Sequence, residues 1–210
     1  MSKKKHKIIS IFLSIFKISS LSVVGFFLVL FIAKNIKVES DRLLEQGIAQ
    51  LQSRQFDQAT QSWNKSLKLY RLIGHRQGIA YSLGNLGNIY FSLDDYSQAI
   101  KYYQQSLEIK REIGDRQGIA NSLGNLGRTY SLLGDDTQAI DYYQQSLKIE
   151  REIGDYEGIA ISLRKLGSIY RSSGDYDRAI DYYQQSLKIY RDIGNFRKGI
   201  ARSLHSLGAT

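Results

Sequence analysis

The stretch GNLGNIYFSLDDYSQAIKYYQQSL, residues 84–107, returns forty residues later as GNLGRTYSLLGDDTQAIDYYQQSL, residues 124–147. Two glycines three residues apart interrupt an otherwise helical pattern. Each costs about 1 kcal/mol relative to alanine in a helix interior. A weakness kept at a fixed period must be offset by something that the period creates. The period runs on through Ala59, Ala99, Ala139 and Ala179. YYQQSL occurs at 102–107, 142–147 and 182–187. GIA-x-SL occurs at 78–83, 118–123, 158–163 and 199–204, the last displaced by one residue. Such a chain is an array of short units, not one domain around a private core.

Each repeat reads as two helices. Ile79, Leu83, Leu86, Tyr90 and Leu93 make one apolar stripe at alternating spacings of four and three. Tyr96, Ala99, Ile100, Tyr103 and Leu107 make a second. Between them, Leu133-Gly134-Asp135 joins a glycine stop to an acidic start, and Ile113-Gly114-Asp115, Ile153-Gly154-Asp155 and Ile193-Gly194-Asn195 do the same between pairs. There is no proline, so turns are short and glycine-made.

The glycines divide into two kinds. Gly87, Gly127 and Gly167 lie on the apolar stripes of the first helices and are expected to face Ala99, Ala139 and Ala179, so that the hairpins close tightly. Gly84 and Gly124 give way to Arg164 and His205 in later repeats. Their position is therefore not a packing requirement and is expected to face a groove.

Leu86-Gly87, Tyr90, Tyr96, Ala99 and Tyr103 have the spacing of the tetratricopeptide repeat family, and the chain resembles it over about residues 40–210. The forty-residue length and the Gly-Asn-Leu-Gly tract resemble the subclass found in Leu-Gly-Asn-type adaptors and kinesin light chains. The resemblance implies an all-α fold, a right-handed superhelical solenoid of antiparallel helix pairs. The repeats fall at 40–74, 75–114, 115–154 and 155–194. The first is degenerate, with Gln46-Gly47 and Gln50 in place of Leu-Gly and Tyr. Residues 195–210 read as a capping helix, with Ile200, Leu204 and Leu207 inward, or as part of a fifth repeat.

The N-terminus is different. A basic segment, 1–17, precedes an apolar run, and residues 18–36 are expected to form a transmembrane anchor flanked by Lys17 and Lys34. Lysine counting places the N-terminus in the cytoplasm and the repeats on the far side, periplasmic if the cell is bacterial. A cleaved signal and secretion is the competing reading. Of the formal charge of +9, residues 1–40 carry seven lysines and one glutamate, which leaves +3 for the array. An array so weakly basic argues against nucleic-acid binding.

Nothing in the residues points to catalysis. His6, His75 and His205 have no metal-ligand spacing, cysteine is absent, and Gly84 and Gly87 lie within a helix rather than a phosphate loop. Ser62-x-x-Lys65 and Ser162-x-x-Lys165 lack the companion motifs of a serine acylase. No cofactor, metal or enzymatic activity is expected.

By resemblance, the first helices line a groove that takes an extended peptide or partner protein. The positions implied are Asn85 and Asn88, then Asn121, Asn125 and Arg128, then Arg164, Lys165, Arg171 and Arg202. Asparagine suits a peptide backbone because its amide both donates and accepts. The gathering of Arg128, Arg164, Lys165, Arg171 and Arg202 favours acidic or carboxylate-terminated segments. Three classes stand at this point: a membrane-tethered adaptor, a self-associating scaffold, and the accessory part of a larger effector.

Overall fold

The computed structural model of the chain describes residues 22–194 and 208. These contain eight helices and no strand: α1 (Ser22–Gln52), α2 (Phe56–Ile73), α3 (Arg76–Ser92), α4 (Tyr96–Ile113), α5 (Arg116–Leu132), α6 (Asp136–Ile153), α7 (Tyr156–Ser172) and α8 (Tyr176–Asp192). The basic segment 1–17 and the expected cap at 195–210, residue 208 apart and Arg202 included, lie outside the described residues.

Local chemistry sets the boundaries. Asp95, Asp115, Asp135, Asp155 and Asp175 cap helix starts, each accepting from the backbone N–H three residues on. Gly74, Gly114 and Gly154 end α2, α4 and α6 at φ of 67°, 75° and 72°, a left-handed conformation that glycine adopts without penalty.

The transmembrane anchor expected over 18–36 is overturned. Among the described residues no helix is long and apolar enough to cross a membrane. The reason lies in α1, which continues without a break from its apolar start into Lys34, Lys37, Glu39, Asp41 and Arg42. Its described apolar run, residues 22–33, rises about 18 Å at 1.5 Å per residue. A hydrocarbon core is about 30 Å thick. The single-pass localisation, with repeats on the far side, falls with the anchor.

The chain forms two compact units, Met1–Leu86 and Gly87–Thr210, with α3 running through the join. In the first, α1 and α2 pack as a hairpin. Trp63 is fully buried and donates its Nε1–H to the Leu44 carbonyl at 2.9 Å, while the Ser66 hydroxyl donates to the Ser40 carbonyl at 2.9 Å.

In the second unit, α5 pairs with α6 and α7 with α8. One core lies between α4 and α5, with Ala99, Tyr103 and Leu107 against Ile119, Leu123 and Leu126. The next lies between α6 and α7, with Ala139, Tyr143 and Leu147 against Ile159, Leu163 and Leu166. The serine of YYQQSL ties each hairpin: Ser146 donates to the Ala120 carbonyl at 2.9 Å and Ser186 to the Ala160 carbonyl at 2.7 Å.

The stripe glycines close the hairpins chiefly against a tyrosine ring, and at Gly167 the Ala179 carbonyl oxygen also comes within 3.2 Å of a Cβ. A Cβ on Gly87 would lie 2.6 Å from the Tyr103 ring, on Gly127 3.1 Å from Tyr143, and on Gly167 2.8 Å from Tyr183. Each glycine is a socket for a tyrosine one turn past the alanine. The degenerate first repeat keeps the device with a larger ring: a Cβ on Gly47 would lie 2.3 Å from Trp63 Nε1.

Candidate functional site

The paired tyrosines divide between two tasks. Tyr103, Tyr143 and Tyr183 fill the glycine sockets. Their neighbours Tyr102, Tyr142 and Tyr182 stack on Tyr90, Tyr130 and Tyr170 at centroid distances of 5.2, 5.4 and 5.5 Å. The socketed rings deliver their hydroxyls to one recurring position on the first helices. The Tyr103 hydroxyl donates to Asn88 Oδ1 at 2.8 Å, and that of Tyr183 to Ser168 Oγ at 3.2 Å. Arg128 holds the corresponding place in α5.

Burial pushes the Tyr143 hydroxyl well above the usual phenol range, and the positive charges of Arg128 and Arg164 pull the other way. Arg128 and Arg164 thus both act on this hydroxyl through their charge. Arg128 is exposed, with its guanidinium 4.3 Å from the centre of the Phe91 ring. Arg164 is half-buried, and its Nε is shielded from water without a hydrogen-bond partner among the described residues.

The other sequence-derived positions lie outside the core. Asn121 is exposed and accepts from Gln117, and Asn125, Lys165 and Arg171 are half-buried. Asn121, Asn125 and Arg128 follow at spacings of four and three, hence along one side of α5. Asn88 is committed to Tyr103, which leaves less of its amide for a ligand. Asn85 is half-buried and belongs to the first unit, whereas the other described positions belong to the second.

Sequence reasoning missed the concave features on the second helices. Two open clefts, of about 640 and 600 Å³, lie between α4 and α6 and between α6 and α8. Their linings agree at Gln104 and Gln144, Leu107 and Leu147, Arg111 and Arg151, Asp141 and Asp181, Tyr142 and Tyr182, and differ at Glu108 and Lys148. The signal for them is the recurring YYQQSL tract, which supplies Gln104, Leu107, Tyr142, Gln144, Leu147 and Tyr182.

A buried carboxyl stands apart from both faces. Glu150 is 6% exposed, and its Oε1 lies 3.0 Å from the Ser162 hydroxyl, which donates to it, and 2.8 Å from the Ser146 hydroxyl, whose single proton is shared with the Ala120 carbonyl. Oε2 has no partner among the described residues. Burial raises its pKa above the ordinary carboxylate value, the two serine hydroxyls oppose that, and the charge of Asp155 adds to it. The folded chain therefore binds this proton more tightly than the unfolded chain. The associated stability is present below the unfolded value and is lost as pH rises through the folded one. Urea unfolding between about pH 5 and pH 8 should show stability falling with pH in the native chain more steeply than in Glu150→Gln, which keeps a neutral acceptor. Equal slopes would remove Glu150 as the source.

The tetratricopeptide repeat family model matches residues 41–112, 78–152, 118–192 and 158–210. No curated protein matches at a significant level. Among solved structures, BtubC (BKLC) from P. vanneervenii aligns with a TM-score of 0.69 at 20% identity, over 75% of this chain and 65% of that one. MamA aligns at 0.60 and 20% identity, over 75% of this chain and 82% of its own. A signal transduction ATPase with numerous domains and a tetratricopeptide repeat sensor, from Pyrococcus horikoshii, aligns at 0.75 and 20% identity, over 82% of this chain and 27% of its own. At these identities the likeness is one of fold. The repeat model, however, covers the array from residue 41 onward, and the chain belongs to the tetratricopeptide repeat family.

Proposed function

We propose that the second unit binds an extended, acidic segment of a partner protein along the first helices α5 and α7. Tetratricopeptide repeats generally mediate contacts between proteins and serve as scaffolds rather than enzymes. The observation that carries the finer reading is the Arg164 Nε, shielded from water with no hydrogen-bond partner among the described residues. Arg128, Arg164 and Arg171 form no ion pair among the described residues, and Arg164 holds one N–H shielded and unpaired. A guanidinium so placed gains most from an incoming carboxylate, in a charge-assisted and geometrically specific contact. Asn121 and Asn125, on the same side of α5, supply amides for the segment's main chain.

The test is calorimetric titration of the full chain with an extended glutamate-rich peptide and its glutamine counterpart. The acidic peptide should bind more tightly and weaken with salt, and Arg164→Ala or Asn125→Ala should each cost about tenfold in affinity. Equal affinity for the two peptides would sink the charge reading. Wild-type affinity in Asn125→Ala would sink the amide reading.

A further inference from the structure

The second helices of the second unit carry a charge pattern that neither the core nor the arginine face uses. On their exposed side α4 presents Lys101 and Glu108, α6 presents Asp141 and Lys148, and α8 presents Asp181 and Lys188. Members of each pair are seven residues apart and opposite in sign, and the order in α4 is the reverse of that in α6 and α8. Seven residues span about 10.5 Å of helix, too far for the two charges to pair within their own helix. None of the six enters an ion pair among the described residues.

This pattern is complementary to itself under one symmetry operation. A two-fold axis lying in the face, and crossing the helices at right angles, sets each helix antiparallel on its own copy. It brings residue 101 against 108, 141 against 148 and 181 against 188. Each of the three lysines then meets a carboxylate of the second copy, whichever order the signs take. A two-fold axis along the helices would instead set Asp141 against Asp141 and Lys148 against Lys148. The midpoint of each pair falls within Gln104-Gln105, Gln144-Gln145 and Gln184-Gln185. Gln104, Gln144 and Gln184 are exposed there. A glutamine amide on such an axis can donate to and accept from its own symmetry mate. The clefts on either side of α6 leave room for the side chains of a copy that crosses at a small angle.

We propose that this face, α4, α6 and α8, pairs with a second copy of the chain in an isologous two-fold dimer. It is separate from the arginine face on the first helices, so a partner segment and a second copy occupy different sides of the second unit.

Charge exchange tests the symmetry itself. Sedimentation equilibrium of the full chain should show a concentration-dependent dimer that weakens as salt rises. Lys148→Asp alone, or Asp141→Lys alone, turns two contacts per dimer into like-charge contacts. Each should raise the dissociation constant about tenfold. The double variant Asp141→Lys, Lys148→Asp should return it to within about threefold of the native chain. Mixing the two single variants should yield a heterodimer, because positions 141 and 148 then carry two carboxylates in one chain and two ammonium groups in the other. All these positions are exposed, so circular dichroism should be unchanged throughout. A native chain that stays monomeric overturns the proposal. So does a dimer indifferent to the single variants, or a double variant as weak as the singles.

Discussion

Trp63→Ala should lower the stability of the first unit by about 3–5 kcal/mol, the range for removing a buried aromatic side chain. Trp63 is 0% exposed, and its ring occupies the space that a Cβ on Gly47 would need. Truncation leaves a cavity against the α1 backbone at Gly47, which has no side chain of its own to fill it. It also removes the second donor to the Leu44 carbonyl, which keeps its partner within α1. Against a typical total of about 5–15 kcal/mol, such a loss is a large fraction. Tyrosine holds this position in the other three repeats, at Tyr103, Tyr143 and Tyr183, so Trp63→Tyr should retain most of the stability. Urea unfolding followed by circular dichroism measures both. A loss from Trp63→Ala no larger than that from Trp63→Tyr would mean that the socket tolerates collapse.

The repeat, its two helices and their ends could be read from sequence because each has a local cause. An aspartate cap, a left-handed glycine and an apolar stripe act within a few residues, and all three recur every forty. What glycine faces is a different kind of fact. Gly87 and Ala99 share the apolar period, so a small-on-small contact was the simplest pairing. The ring that fills the socket comes from Tyr103, one turn further on, and only packing selects it. Residues 18–36 misled for a related reason. Hydropathy over a window registers an apolar run, but it does not register that the helix containing part of that run continues unbroken into Lys34, Lys37, Glu39, Asp41 and Arg42. For the candidate groove, the sequence supplied the residue types and the α5 spacing. The commitment of Asn88 to Tyr103 depends on a contact between residues fifteen apart, and the joint charge of Arg128 and Arg164 on Tyr143 depends on helices that only the fold brings together. The exposed charges of YYQQSL-bearing helices were visible as letters, but their meaning needed the knowledge of which side of α4, α6 and α8 is buried.

Gly167→Val should destabilise the second unit by about 3 kcal/mol or more, the upper range for overpacking a filled core. The first added carbon alone would lie 2.8 Å from the Tyr183 ring and 3.2 Å from the Ala179 carbonyl oxygen. The ring is 0% exposed and its hydroxyl is held by Ser168, so it has no vacant rotamer to move into. The backbone oxygen cannot yield without shifting α8. Gly124→Ala should act in the opposite direction. Its new Cβ would meet only the Ser146 hydroxyl oxygen at 3.8 Å, an ordinary contact, and the helix gains about 0.5–1 kcal/mol from the lost backbone freedom. Urea midpoints of the two variants should therefore move to opposite sides of the native value. Movement in the same direction would show that the two glycine positions of the repeat are not divided between packing and open surface. A glycine whose replacement stabilises the fold needs a reason outside the fold. If Gly124 keeps the side of α5 clear for a bound segment, Gly124→Ala gains stability and loses affinity for the acidic peptide together. An alanine variant that binds as well as the native chain would leave that glycine without a functional role.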